Sequence, residues 1–324
     1  MSSDLDEADS FASTEEFTEG SDIAEGVWGD TIDDSLNEAP EGPYGSTETI
    51  AEFDSSFGSN RMDRRTISRL CAQQKLYETP ALNCVLYLQH LNFAVIENLA
   101  PYKNLVTLFL NNNGIKRIQG LTTLTKLRML YLNVNAIESI DGLERNTELT
   151  YLNLANNHVS TIENVAHLMK LETLNVSSNS LCTLESIKRI PSCLKVLDIS
   201  NNRIESKECD LLEFLSSSQL LQFYSFGNPF SNSITQMRRK VVAACDRIMY
   251  LDKSPVSNEE REWAVAWVNG GKEAEKKVRI EQAVKKRSDM DKLVTDFRAM
   301  QFAEGFCPAP AVLTELESIL SAYC

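Results

Sequence analysis

Apolar positions recur along the middle of this chain with a period too long for one helix or strand. Counting from Leu105, the spacing L-x-x-L-x-L-x-x-N restarts at Leu127, Leu149, Leu171, Leu194 and Leu220. Place 4 of each unit holds Leu108, Leu130, Leu152, Leu174, Leu197 and Phe223; place 6 holds Leu110, Leu132, Leu154, Val176, Ile199 and then the polar Ser225. Place 9 is always asparagine: Asn113, Asn135, Asn157, Asn179, Asn202 and Asn228. One degenerate unit precedes Leu105 in frame, with Leu86, Leu88, Ile96 and Leu99 at apolar places but Leu91 where the asparagine belongs. Such a break is what a terminal, atypical repeat shows.

The pattern is the signature of a leucine-rich repeat. It predicts an α/β fold: a leucine-rich repeat solenoid with a parallel, concave β-sheet, helical caps at both ends and a C-terminal helical extension. Places 3 to 6 should form one short strand per turn, and because side chains alternate along a strand, places 4 and 6 point inward together. Apolar residues at places 11, 14, 17 and 20, such as Ile115, Ile118, Leu121 and Leu124, close the coil from the far side. At place 9 the chain leaves the strand, and an inward amide there can both donate and accept, so the six asparagines are expected to form a structural ladder.

Flanking segments complete the array. Residues 61–79 contain a helical spacing of Ile67, Leu70, Cys71 and Leu76, with Thr66 or Asp63 as cap and Pro80 as stop, which predicts an N-terminal capping helix. The repeats and a C-terminal cap, with Val241, Val242, Cys245, Ile248 and Leu251 covering the open end, span 80–252. A helical extension follows over 253–305. Its first helix, from Asn258, carries Trp263 and Trp267 and stops at Gly270 and Gly271; its second, from about Lys272 to Ala303, sets Met290, Leu293, Val294, Phe297 and Met300 on one stripe that reads as packing. Residues 306–324 form a C-terminal tail.

Charge divides the chain further. Residues 1–60 hold 17 Asp and Glu and no Lys or Arg, leaving 32 basic against 29 acidic residues in the remainder. That composition reads as a disordered acidic arm, a solvating tail or, in the sharper alternative, a docking arm anchored by Phe11, Phe17, Trp28, Ile32 and Phe53. The seven Lys and Arg of 272–288 read as a solvated helix face, since no aromatics interleave and the chain is acidic overall, so no nucleic-acid partner is expected. The eight cysteines lack paired spacing, so neither zinc nor a disulfide framework is indicated and a reducing cytosol is the expected compartment. No signal segment and no long apolar run is present, so no membrane partner is expected.

Catalysis has no foothold in this pattern. His90, His158 and His167 fall at different places of different turns, "NGGKE" lacks the spacing of a phosphate loop, and no serine sits in a nucleophile elbow. Neither a cofactor, a metal nor a small-molecule substrate is expected. What remains is a surface. Places 3 and 5 face away from the core and line the inner curve, where Tyr87, Phe109, Met129, Tyr131 and Tyr151 cluster toward the N-terminal half beside Arg128. Exposed Tyr, Met and Arg together have the composition of an interface centre. Asn111, Asn112 and Asn133, at places 7 and 8, are expected on the adjoining rim as edge contacts.

Repeats of 22 residues occur in the leucine-rich regulatory subunit of protein phosphatase 1, the U2 A-prime protein and the outer-arm dynein light chain 1. The flanks are more specific. "LCAQQKLYETPALNCVLYLQ", the "IENL" turn at Ile96–Leu99 and "YLDKSPVSNEEREWAVAWVNGGKEAEK" resemble the dynein axonemal assembly factor 1 family over about residues 61–290. That resemblance implies a non-enzymatic scaffold for cytoplasmic preassembly of axonemal dynein arms, needed for motile cilia or flagella. Its implied partners are axonemal dynein chains, chaperones and other dynein assembly factors. Two alternatives use the same concave face: a regulatory subunit of a protein phosphatase, and a permanent axonemal dynein light chain. The acidic arm has no counterpart in the resemblance, and some relatives continue into a long tail beyond the position of Cys324.

Overall fold

The computed structural model describes residues 61–303. The acidic arm expected over 1–60 and the tail expected over 306–324 lie outside the described residues. Each repeat contributes one three-residue strand at places 3 to 5: β1 (Val85–Tyr87), β2 (Thr107–Phe109), β3 (Met129–Tyr131), β4 (Tyr151–Asn153), β5 (Thr173–Asn175), β6 (Val196–Asp198) and β7 (Gln222–Tyr224). They pair in parallel and in strict chain order, and β8 (Tyr250–Leu251) adds a further parallel strand before β9 (Ser254–Pro255) turns back antiparallel and ends the sheet. The strands are one residue shorter than the sequence suggests, although the ladder runs on past them, with Leu110 N–H donating to Tyr131 O at 2.8 Å and Asn112 N–H to Asn133 O at 3.0 Å.

Register explains the core. Leu86, Leu108, Leu130, Leu152 and Leu174 are direct cross-strand partners, and each is fully buried. Full burial of a leucine contributes about 1.5–3 kcal/mol. No single turn can bury its own leucines, so the stack is the stable unit.

The place-9 asparagines stitch turn to turn. The Oδ1 of Asn135 accepts from the Ile115 N–H at 3.0 Å, while its Nδ2 donates at 3.0 Å to both Leu110 O and Leu132 O. Asn157, Asn179, Asn202 and Asn228 repeat the same three bonds one turn further on each time. In the degenerate first turn, Asn113 Oδ1 serves both Leu91 N–H and Phe93 N–H. A second stitch on the convex side escaped the sequence reading. Asn146 stands at place 20, fully buried, and donates to Leu121 O and Leu124 O at 3.1 and 2.9 Å.

Between strand and convex loop the chain turns through the left-handed region at place 8, where His90, Asn112, Val134, Asn156, Ser178 and Asn201 all have φ between 53° and 60°. A second left-handed turn falls at place 16. There a Cβ on Gly142 (φ 75°) would lie 2.2 Å from Ile118 O, so the position suits glycine.

Helix α1 (Arg64–Gln73) covers the first turn with Ile67, Leu70 and Cys71, and Asp63 caps it by accepting from Thr66 N–H at 2.7 Å. It ends before Pro80, which instead opens a 3₁₀ turn (Pro80–Leu82). Helix α2 (Glu208–Ser217), buried through Leu211, Phe214 and Leu215, fills the convex side of the longest unit, the one from Leu194 to Leu220. Short α3 (Pro229–Ser233) and α4 (Met237–Ala244) close the far end with Phe230, Val241 and Val242. Burial beside α4 pushes the Cys245 thiol up to about 12.

The extension is α5 (Asn258–Ala303), broken at Gly271, whose φ of 70° and ψ of −161° are not helical. The break turns the 272–303 arm back along the 258–270 arm: Lys286 reaches Glu259 at 2.6 Å, and Arg279 lies over the Trp263 ring at 4.2 Å. Arg238 of α4 clamps Glu260 through two bonds, at 2.6 and 2.8 Å, and buried Glu275 accepts from both Arg239 and Arg279. Ion pairs from α4 to Glu260 and Glu275, together with the buried Ala264, thus fix the extension to the cap.

Candidate concave interface

Places 3 and 5 face the inner curve, and in-register pairing sets successive place-5 side chains directly beside one another. Tyr87 and Phe109 stack with ring centres 5.0 Å apart and planes within 5°. Phe109 and Tyr131 stack at 4.5 Å and 17°. On β4 the place-5 residue is the small Asn153, and Tyr151 at place 3 fills the gap, its ring 4.9 Å from Tyr131 and tilted by 37°. Four rings from four strands therefore form one continuous stack across the N-terminal half of the sheet.

Stacking changes which of these residues are open. Phe109 and Tyr131 read from the sequence as exposed hot-spot residues, but they keep only 3% and 7% of their surface accessible, because each ring is covered by its neighbours on both sides. Tyr87 and Tyr151, at the ends, are half-buried, whereas Arg128 and Met129 are exposed. Burial raises the Tyr131 phenol above its ordinary value, and burial together with the neighbouring Tyr131 and Asp198 raises Tyr151.

The rim asparagines are also rearranged. Asn111 and Asn133 at place 7 are buried, not edge contacts, and among the described residues their Oδ1 atoms have no hydrogen-bond partner; the same holds for Gln89 Oε1, at the same place one turn earlier. Asn112 is half-buried and serves the left-handed turn, its Nδ2 3.4 Å from His90 Nε2. The residue that does stand open beside Asn133 is Val134, which the sequence reading did not single out. It is exposed, and it is a β-branched residue at φ 56°, a conformation that L-residues of this kind avoid.

The middle turns are built differently. There place 5 holds Asn153, Asn175 and Asp198, and each turns back to accept from the backbone N–H of place 7, at Ala155, Ser177 and Ser200, over 2.9–3.0 Å, before Tyr224 restores an aromatic on β7. Ser177 and Ser200 add hydroxyl bonds to the same oxygens. Aromatic side chains cannot make that bond, so the first three turns exchange an internal backbone cap for a ring stack and a row of amides. Asp198 is the one carboxylate in the polar row, and desolvation raises it above its ordinary 3.8 despite the serine donors.

Among the described residues, no group of three or more His, Cys, Asp or Glu comes together as a metal site, and no helix is long and apolar enough to cross a membrane. His167 lies 3.1 Å from Leu143 O in the convex wall, far along the chain from His90. The cleft between α4 and α5 is lined by Arg238, Arg239, Glu260, Glu275 and Arg279, whose charges already answer one another.

Comparison with known proteins bears on what this surface is for. Residues 103–145 and 147–189 match the family pattern Leucine Rich repeats (2 copies), and 193–216 match Leucine Rich Repeat. The human protein named dynein axonemal assembly factor 1 is 54% identical over 239 residues, covering 73% of this chain and 32% of that protein. A Drosophila melanogaster homolog of the same name is 47% identical over 227 residues, 68% of this chain and 15% of its own length. This chain belongs to the dynein axonemal assembly factor 1 family. It spans less than a third of either relative's length. The segments whose wording resembles the assembly factor 1 family are α1 with β1 at one end, and β8, β9 and the first arm of α5 at the other. A solved internalin C2 from Listeria monocytogenes aligns at 17% identity with a TM-score of 0.48, covering 60% of this chain and 87% of that one.

Proposed function

We propose that this chain is a non-enzymatic scaffold for cytoplasmic preassembly of axonemal dynein arms, and that it captures its partner on the N-terminal half of the concave sheet. The observation carrying this reading is the asymmetry of that sheet. Turns one to four contribute a ring stack flanked by exposed Arg128, Met129 and Val134, while turns four to six commit place 5 to their own backbone and only the last turn, with Tyr224, returns an aromatic there. Concave faces are what repeat arrays use for binding, and aromatic, Met and Arg clusters dominate interface energies. The relatives' name, dynein axonemal assembly factor 1, supports axonemal dynein chains as the partner class; chaperones and other assembly factors are part of the proposal.

The test is a pull-down from separated cytoplasmic and axonemal fractions of a ciliated cell. Recovery of dynein heavy chain and chaperones from the cytoplasmic fraction, with the scaffold itself scarce in axonemes, supports the proposal. A phosphatase catalytic subunit without dynein would replace it with the regulatory-subunit alternative, and equal abundance with the motor in axonemes would replace it with the light-chain alternative.

A further inference from the structure

Residues just before each strand form two rows along the edge of the solenoid. Place 22 carries Asn104, Lys126, Glu148 and Lys170 in successive turns, and place 2 carries Val106, Arg128, Thr150, Glu172 and Lys195. In the later turns both rows answer their own charges across one turn. Lys170 bonds both carboxylate oxygens of Glu148 at 2.7 Å, and Lys195 bonds Glu172 at 2.7 Å. The earlier cations stand behind neutral neighbours instead. Lys126 donates to Asn104 Oδ1 at 2.8 Å, and the residue before Arg128 in its row is Val106. Arg128 acts on Glu148 through space, but Lys170 already holds that carboxylate. From 98 to 137 the chain has five Lys and Arg and no Asp or Glu, so the edge of the second and third turns carries positive charge that the solenoid does not answer there.

That edge borders the ring stack. Lys126 and Arg128 are exposed, and Arg128 directly precedes β3, which carries Met129 and Tyr131. A segment lying over the rings therefore passes both cations. Uncompensated surface charge costs little in water, but it repels a basic partner and steers an acidic one into place. Nucleic acid is acidic too, yet single strands are held on open aromatic faces. Phe109 and Tyr131 turn their faces onto neighbouring rings and keep only 3% and 7% of their surface, which favours a polypeptide.

Resting on the concave interface proposed above, we infer that Lys126 and Arg128 form a carboxylate anchor, and that the partner segment lying over the ring stack is acidic and reaches this edge with an Asp or Glu side chain. The pairing is the one the later turns make internally, with the carboxylate supplied by the partner.

Fluorescence anisotropy of the full chain with a short labelled peptide of alternating Glu and Leu tests this, beside a Lys–Leu peptide and an oligothymidine strand. The Glu peptide should bind at least about tenfold more tightly than either. Lys126→Glu should weaken that binding at least about tenfold, and Lys126→Arg should retain it. Lys116→Glu makes the same charge change at an exposed place on the convex side and should leave binding as in the parent. Failure of the parent to bind the Glu peptide, equal binding of both peptides, tighter binding of oligothymidine, or equal losses in the two Glu variants overturns the inference. A pull-down from cytoplasmic extract separates it from the reading beneath it. Dynein recovered undiminished by Lys126→Glu overturns the anchor and keeps the concave interface, whereas peptide discrimination without dynein recovery by the parent keeps the anchor and overturns the dynein assignment.

Discussion

Asn135 accepts a hydrogen bond from the backbone N–H of Ile115, one turn earlier, at 3.0 Å, and the same amide donates to Leu110 O and Leu132 O. One side chain thus satisfies three backbone groups of two adjacent turns. Asn135→Leu has similar size and adds apolar surface, yet it strands all three groups. The expected loss is about 1–3 kcal/mol in urea-induced unfolding. An unchanged midpoint would show that the ladder is not what joins the turns.

Val134 offers the opposite case, a residue whose replacement should help folding. Its φ of 56° is shared by Asn112 one turn before and Asn156 one turn after, both of a type that tolerates the left-handed region. Val134→Asn should raise stability by about 1 kcal/mol. The same change should weaken partner capture, because strain of this kind persists where a contact uses it. Thermal unfolding and a pull-down on the same sample read both effects, and a variant that is no more stable contradicts the strain.

Asp198 predicts a pH dependence. Its carboxyl is raised by burial above the ordinary 3.8, so the folded state prefers the proton. Stability from this group is full below that value and is lost as pH rises through the higher folded value. Asp198→Asn keeps the acceptor for Ser200, as Asn175 does for Ser177, without the charge. The variant should be more stable than the parent at pH 7 and lose that advantage near pH 3. Equal stability at both pH values would place Asp198 in water.

Much of this architecture is legible in the chain because one residue type repeats at one place. Leucine at places 4 and 6 and asparagine at place 9 are enough to fix the inward face, as Leu108, Leu110 and Asn113 show. Single departures are harder to read. Asn146 stands where its neighbours are apolar, and only the coil's closure turns it into a stitch. Helix α2 hides in a unit only a few residues longer than the others, although Leu211, Phe214 and Leu215 keep helical spacing. The burial of Phe109 and Tyr131 follows from strand register, since the rings stacked on each come from neighbouring strands. Asn111 and Asn133 differ from Asn112 by one position, and only the left-handed turn at Asn112 decides which amides go inside.

The central claim is that Arg128, Met129 and their ring stack capture the dynein assembly partner. The most direct measurement is dynein heavy chain recovered from a cytoplasmic extract by the parent and by Arg128→Ala/Met129→Ala, with both proteins unfolding within about 0.5 kcal/mol of each other, as exposed positions allow. A drop in recovery of about tenfold or more is the predicted result. Full recovery by the folded variant would move the binding surface off this half of the sheet.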